Sequence, residues 1–362
     1  MRKLAWSVFC LALLALPVAV LWGGLPGPTW YDLREGTYIV RLEDAVQSSI
    51  SRNNRLRQAG LRISLLGGTQ QRNDVFISRE GLIKNIDAAS TARVQANVDA
   101  ILRFSQEAEV PTYLTLIPTS CAILQQRLPP YAEIYNNQRQ LIDDVYSQMI
   151  GRVTTMDVYP VLFNRREQYL YYRTENNLTA LGGYYVYSVI GAKLVGREIN
   201  DYSQFNIEYL PAPYYGDLYQ QSPYQNVEPD RLSYFHYTRF SREYLVRQKG
   251  ESGAKSYHTL YPTHLAALGQ PMSTYLGGLS AVTRLHISSP YAHSLLIFGD
   301  KTALSYVPFL ANNYQNITIV DLFQLTQEQA AEIRIGDYDQ VLFAYSVETF
   351  DSNIPLRAEN LL

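Results

Sequence analysis

The chain has 362 residues, 47% hydrophobic and 18% charged, with a formal net charge of −2. That length suits one large α/β domain or two modest ones, at roughly 100–200 residues each, and the apolar content excludes disorder on a domain scale. Lys and Arg are scattered, and no basic field or arm is present to hold nucleic acid through its phosphates.

Arg2 and Lys3 precede an uncharged run from Leu4 to Trp22. At 1.5 Å per residue the run spans roughly 28 Å, about the core of a bilayer. The next charge is Asp32, so the positive-inside rule puts the amino terminus in the cytoplasm and the chain beyond Gly24 outside. Residues 1–26 are expected to be a signal anchor crossing the membrane through residues 4–22, or a cleaved signal peptide. Either way the rest is exported, as an extracytoplasmic domain on the cell membrane or as a secreted protein. Cys10 lies in the apolar run without a lipobox, which leaves Cys121 as the single exported cysteine. It can form no disulfide within the exported part, and a buried, inert thiol is expected.

Residues 27–95 read as a stalk and a small lead-in subdomain, with a polar patch at Ser48–Gln58 and a hairpin over Asn73–Ile83 that turns at Gly81. From about residue 96 the pattern alternates. Asn97–Glu109 has helical spacing and Val110–Pro118 is a buried strand. An amphipathic helix over Asn136–Ile150, a short strand over Arg152–Tyr159 and a helix over Thr179–Ile199 follow. Thr179 is placed to cap that helix, and Gly182 and Gly183 within it imply close packing. Residues 201–270, rich in Tyr, Pro and Ser, read as an insertion with antiparallel strands around Arg231–Val246. The last stretch alternates strand His293–Asp300, helix Thr302–Tyr314, strand Asn316–Phe323, helix Thr326–Ile335 and strand Tyr338–Ser346. Residues 96–350 are thus expected to form one parallel sheet with helices on both faces, followed by a tail over 351–362.

Several blocks, in order, carry a resemblance. "VFISREGLI" begins at Val75, "TLIPTSCAILQQRLP" at Thr115, "YYRTENNLTALGGYYVY" at Tyr171 and "YLGGLSAV" at Tyr275. "LLIFGDKTALSYVPFLANNYQNITIVD" begins at Leu295 and "YDQVLFAYSVETF" at Tyr338. Together, over roughly Val75 to Phe350, they resemble the DHHW family of exported bacterial proteins, which is related to the alginate O-acetyltransferase proteins. The resemblance implies a three-layer αβα, SGNH-hydrolase-like and flavodoxin-like parallel sheet.

In an active member of such a family a Ser at a strand-to-helix turn attacks an ester. A His takes its proton, an Asp two residues before the His orients the ring, and an Asn with backbone N–H groups holds the oxyanion. This chain departs at each position. Glu175 stands for the Asp, Asn176 and Asn177 for the His pair, Leu178 for the Trp, Lys301 for the nucleophile after Gly299-Asp300, and Leu279 for the oxyanion Asn after Gly277-Gly278. An amide takes no proton at neutral pH, so the degenerate positions Glu175, Asn177, Leu279 and Lys301 predict no Ser-His-Asp catalysis. Lys301 reads as a solvated lysine or as the partner of Glu175 in an ion pair across the old pocket, with a catalytic lysine as the sharper reading. Asn176, Asp300 and Arg173 are expected to line that pocket.

The five histidines lie outside these blocks, with no metal-ligand spacing. Surface positions are the plain reading, with His286 or His293 swinging toward the pocket as the sharper one. Ser305 reads as a helix-surface serine rather than a displaced nucleophile. Thirty tyrosines, several in pairs, suit both core packing and sugar contacts. Two functions stay open. One is an exported, catalytically silent envelope protein that binds polysaccharide or a partner of membrane acyl-transfer machinery. The other is an active O-acetyl esterase or acyltransferase with its nucleophile elsewhere. No cofactor or metal is implied by either.

Overall fold

A computed structural model describes residues 58, 70–352 and 361, save 79, 131, 197, 198, 225, 251 and 252. The expected anchor or signal peptide at 1–26 lies outside the described residues, as do most of the stalk and tail. Among the described residues no helix is long and apolar enough to cross a membrane. Gln71–Gln221 and Asn226–Leu362 form one compact unit; the other unit, Met1–Gln70 with Ser222–Gln225, falls almost wholly outside the description.

β1 (Gln71–Arg72), β2 (Val75–Ile77) and β3 (Leu82–Lys84) make a small antiparallel sheet. The expected hairpin is β2–β3, closed by the Ser78 hydroxyl donating to Gly81 O at 2.8 Å. In chain order follow α1 (Thr91–Glu107), β4 (Thr112–Ile117), α2 (Gln138–Met149), β5 (Thr154–Thr155) and α3 (Ala180–Val195). Then come β6 (Phe205–Tyr209), β7 (Ser233–Tyr237), β8 (Tyr244–Gly250), β9 (Gly253–Tyr257), β10 (Val282–Ile287) and β11 (Ser294–Gly299). α4 (Ala303–Leu310), β12 (Asn316–Val320), β13 (Gln340–Ser346) and α5 (Val347–Phe350) complete the fold, with other helical turns named by their residues.

The main sheet has eight strands in the order β5-β4-β13-β11-β12-β10-β8-β9. The five from β5 to β12 are parallel, and β10, β8 and β9 add on antiparallel. The all-parallel sheet expected from sequence is therefore corrected to a mixed, parallel-rich one. Numbered from β4, the parallel strands run 2-1-5-3-4 across the sheet. Numbered from β11 and continued through β4 and β5, the same strands run 2-1-3-4-5, the flavodoxin-like order. The layout is flavodoxin-like with its chain order circularly shifted. The segment 201–270 is divided: β6 pairs with β7 in a separate two-stranded sheet, while β8 and β9 extend the main one.

Pleating sends alternate residues of the central strands to opposite faces. On β11, Leu295 and Ile297 join one apolar cluster, whereas Leu296 and Phe298 join the other. α1 and α2 cover the second face with Val98, Ile101 and Phe104, and with Leu141, Ile142, Val145 and Met149, each set at helical spacing. Phe298 stacks on Phe343 at 4.9 Å between centroids, and Phe104 meets both rings edge-on. Each such side chain, fully buried, contributes about 1.5–3 kcal/mol. α3 and α4 cover the first face. Thr179 caps α3 as expected, accepting from Gly182 N at 3.2 Å, and Gly196 in the left-handed region (φ 64°) ends it.

Candidate functional site

Ligands of open α/β sheets bind beyond the carboxyl ends of the strands, where the strand order reverses. In the shifted numbering that point lies between β11 and β13. A cavity of about 540 Å³ opens there, walled by Ile117 and Pro118 at the end of β4, Asp300 and Lys301 after β11, and Ser346 at the end of β13. Asp300 ties two of these loops together. One carboxylate oxygen accepts from Thr302 N (2.9 Å) and the Thr302 hydroxyl (2.5 Å), the other from Ser346 N (2.9 Å) and the Ser346 hydroxyl (2.7 Å).

The block before α3 brings the remaining positions in. Tyr171 and Leu178 form an isolated bridge, so residues 172–177 loop out toward β11. Asn177 Nδ2 donates to Lys301 O at 3.2 Å, and its Oδ1 accepts from Leu178 N at 2.8 Å. Lys301 Nζ meets Glu175 Oε1 at 2.8 Å, so of the readings open from sequence the ion pair is the one the structure shows. Glu175 Oε2 accepts from the Tyr214 hydroxyl (2.9 Å) and Asp217 N (3.0 Å). Burial works against the Glu175 charge, but Lys301 and these donors outweigh it and hold the carboxyl below its ordinary value. Burial likewise opposes the Lys301 ammonium, and Glu175 overcomes it, so the amine stays charged to higher pH than a free lysine. A lysine held protonated is no nucleophile.

Leu279 reaches the cavity from a turn in which Leu276, Gly277 and Gly278 all have positive φ, and Gly277 has no room for a Cβ against Tyr257 and Gln248. Asn176 Nδ2 donates to Glu348 Oε2 at 2.6 Å, and Lys84 Nζ binds Glu348 Oε1 at 2.5 Å. Asn176, Asn177, Leu279, Asp300 and Lys301 thus line one cavity, with Glu175 behind Lys301. Arg173 does not join them. Its guanidinium lies over the Tyr169 ring at 4.6 Å and faces a different pocket. His286 on β10 bonds Asn316 at the start of β12, and His293 precedes β11. Both sit at the amino end of the sheet, a six-residue strand or roughly 20 Å from Asp300, beyond any side-chain swing. Ser305 is buried rather than on the surface; its hydroxyl bonds Thr302 O at 2.7 Å, and its backbone packs on Gly183. Cys121 is buried as expected, and burial pushes its thiol up to about 11.

Sequence reasoning missed the residues that shape the loop. Asp230 is fully buried and accepts from Arg173 N (2.6 Å), Thr174 N (2.8 Å) and the hydroxyls of Thr174 and Tyr169. Gly216 lies so close that a Cβ there would sit 2.5 Å from Glu175 Cβ. Asp230, Gly216, Tyr214 and Asp217 all come from the weakly periodic 201–270 segment, where no spacing signals them. Ser346 carried a readable signal, a polar residue ending the apolar strand β13.

The model of the DHHW protein family matches residues 89–320, well over half of the chain. The chain belongs to the DHHW family. In structure it is similar to a DHHW family protein from Eubacterium siraeum DSM 15702, with TM-score 0.62 and 18% identity over 77% of this chain and 95% of that one. It is also similar to PatB1 of Bacillus cereus, with TM-score 0.63 and 19% identity over 77% and 97%. A second structure, PatB1 with a sulfonyl adduct, matches with TM-score 0.62 and 16% identity over 77% and 98%. At these identities the likeness is one of fold. No curated protein matches the chain. Where the DHHW block has Asp-His-His-Trp, this member has Glu175-Asn176-Asn177-Leu178.

Proposed function

We propose that this DHHW-family chain is an exported cell-envelope protein that binds polysaccharide on an SGNH-hydrolase-like scaffold without acyl-transfer chemistry of its own. The observation that carries the reading is the 2.8 Å Lys301–Glu175 pair, standing where the resemblance puts nucleophile and orienting acid, with the Asn177 amide where it puts the base. None of the five histidines lines the cavity, so the imidazole base of a Ser-His-Asp relay is missing from its wall. What the walls offer is apolar area with amide, hydroxyl and carboxylate groups, the equipment of a binding site. Export rests on the charge pattern around residues 4–22, and membrane acyl-transfer machinery is a second kind of partner consistent with the family. The alternative, an active O-acetyl esterase or acyltransferase, has two serines in the cavity wall among the described residues, Ser352 and, at the end of β13, Ser346. The Ser346 hydroxyl is engaged by Asp300 and Thr349, with no imidazole beside it.

The test is a serine-directed fluorophosphonate probe, with hydrolysis of an acetyl ester followed in parallel on the purified protein. The proposal expects no label and no turnover above buffer, together with retention on an envelope polysaccharide column. Labelling of Ser346, lost in Ser346→Ala along with turnover, overturns it.

A further inference from the structure

The 540 Å³ cavity has a neighbour. A second cavity of about 350 Å³ adjoins it, and the two share Asn177, Asp217 and Lys301 in their walls. The second is closed on its other sides by Tyr215, Gln270, Met272 and Ser273. Tyr215 is 41% exposed, and its ring packs against Tyr219 with centroids 4.5 Å apart. An aromatic ring already braced on one neighbour and open to solvent is a platform for an apolar ring face, with little side-chain freedom left to lose on binding.

The charges of the two cavities then say what kind of ring fits. The only cations in either wall, among the described residues, are Lys84 and Lys301. Both are taken, Lys84 by Glu348 at 2.5 Å and Lys301 by Glu175 at 2.8 Å. Three further carboxylates face the same space. Asp300 is held by Thr302 and Ser346, and Asp321 by Phe323 N at 3.0 Å and Gln324 Nε2 at 2.6 Å. The exposed Asp217 carboxylate makes no hydrogen bond or ion pair among the described residues, and it belongs to both cavities. Five carboxylates (Glu175, Asp217, Asp300, Asp321 and Glu348) thus stand against two ammoniums in the two walls, and a carboxylate-bearing ligand meets net like charge. Hydroxyl and amide N–H groups find an acceptor.

We propose that the 350 Å³ cavity is a second sugar subsite, continuous with the first, that takes a carboxylate-free sugar unit stacked on Tyr215 and hydrogen-bonded by Asp217, and that excludes uronate units. The inference rests on the polysaccharide-binding reading above and adds the class of polysaccharide.

Isothermal titration of the full chain at low salt, where charge effects are least screened, tests it. The probes are chitotetraose, a neutral N-acetylglucosamine tetramer, and tetragalacturonate. Chitotetraose is expected to bind at least about tenfold tighter, a difference of about 1.4 kcal/mol. Tyr215→Ala weakens it about tenfold, and Asp217→Asn weakens it about fivefold while narrowing the gap to tetragalacturonate. Both positions are exposed, so thermal melts should show both variants folded. Leu279→Trp, which fills the first cavity, is the comparison. Tetragalacturonate binding as tightly as chitotetraose overturns the inference. So does chitotetraose binding that Leu279→Trp abolishes while Tyr215→Ala and Asp217→Asn leave it unchanged, a result that leaves the polysaccharide reading standing. If neither tetramer binds, the subsite inference falls, while retention on the envelope polysaccharide column decides the polysaccharide reading separately.

Discussion

Glu175 is 4% exposed and Lys301, its partner, is 42% exposed, so the pair lies between the buried and surface limits. Lys301→Ala should therefore cost about 1–2 kcal/mol, more than a surface pair and less than the 3–5 of a fully buried one; chemical denaturation measures it. The Glu175 carboxyl is held below its usual 4.5 in the fold, so its contribution is complete above that value and fades as pH falls through the folded one. The difference in melting temperature between the natural protein and Glu175→Gln should be full near neutrality and close in acid. A difference that persists unchanged well below the folded value would show that the ionised pair is not what Glu175 supplies. Asp230 offers a second test. Asn in its place keeps the shape but turns part of an acceptor into a donor, leaving buried partners of the loop unmade at about 1–3 kcal/mol each. Urea unfolding of Asp230→Asn should show a loss of about 2–4 kcal/mol; a loss within error of zero would mean the loop does not depend on it. Glu175, Asn177, Leu279 and Lys301 were legible because each sits at a fixed offset within a block. Asp230 was not, because it acts from more than fifty residues away.

Between elements, the tightest approach is α3 on α4. A Cβ on Gly183 would lie 2.0 Å from Ser305 O, a distance only a shift of one helix relieves. Gly183→Ala should destabilise by about 1–3 kcal/mol or more. Gly336→Ala, with nothing within 4 Å of its Cβ and no positive φ, should stay within about 0.5 kcal/mol. Equal melting temperatures for the two variants would contradict the packing described. The paired glycines announced this crossing in the sequence, whereas other elements were less legible. The expected helix over Thr326–Ile335 shrinks to the capped turn Gln327–Ala330. Ile333 and Ile335 are both buried in one cluster, and residues two apart do not share a helix face. β10 is absent from the expected strands although Leu285 and Ile287 alternate with Arg284 and His286, a period-two signal. β7 and β8 are antiparallel strands as expected, but each pairs elsewhere, which local pattern does not reveal.

For the whole molecule, alternation of strand and helix disclosed the α/β class, and block order disclosed the family. Strand neighbours were hidden because the parallel sheet begins, in layout, at β11 and closes through β4 and β5 far earlier in the chain. That circular shift brings together a loop near residue 175, a turn near 279 and the ends of β11 and β13. It makes the altered positions one site rather than four separate substitutions. The central claim is that Glu175, Asn177 and Lys301 occupy the seats of a triad and cannot act as one. The direct measurement is acetyl-ester hydrolysis by the purified natural protein beside the triple variant Lys301→Ser, Asn177→His and Glu175→Asp. The account predicts silence from the natural chain and measurable turnover from the rebuilt one, lost again when Lys301→Ser or Asn177→His is reverted and lowered when Glu175→Asp is. Turnover by the natural protein, whether or not it survives Lys301→Ala, would contradict it.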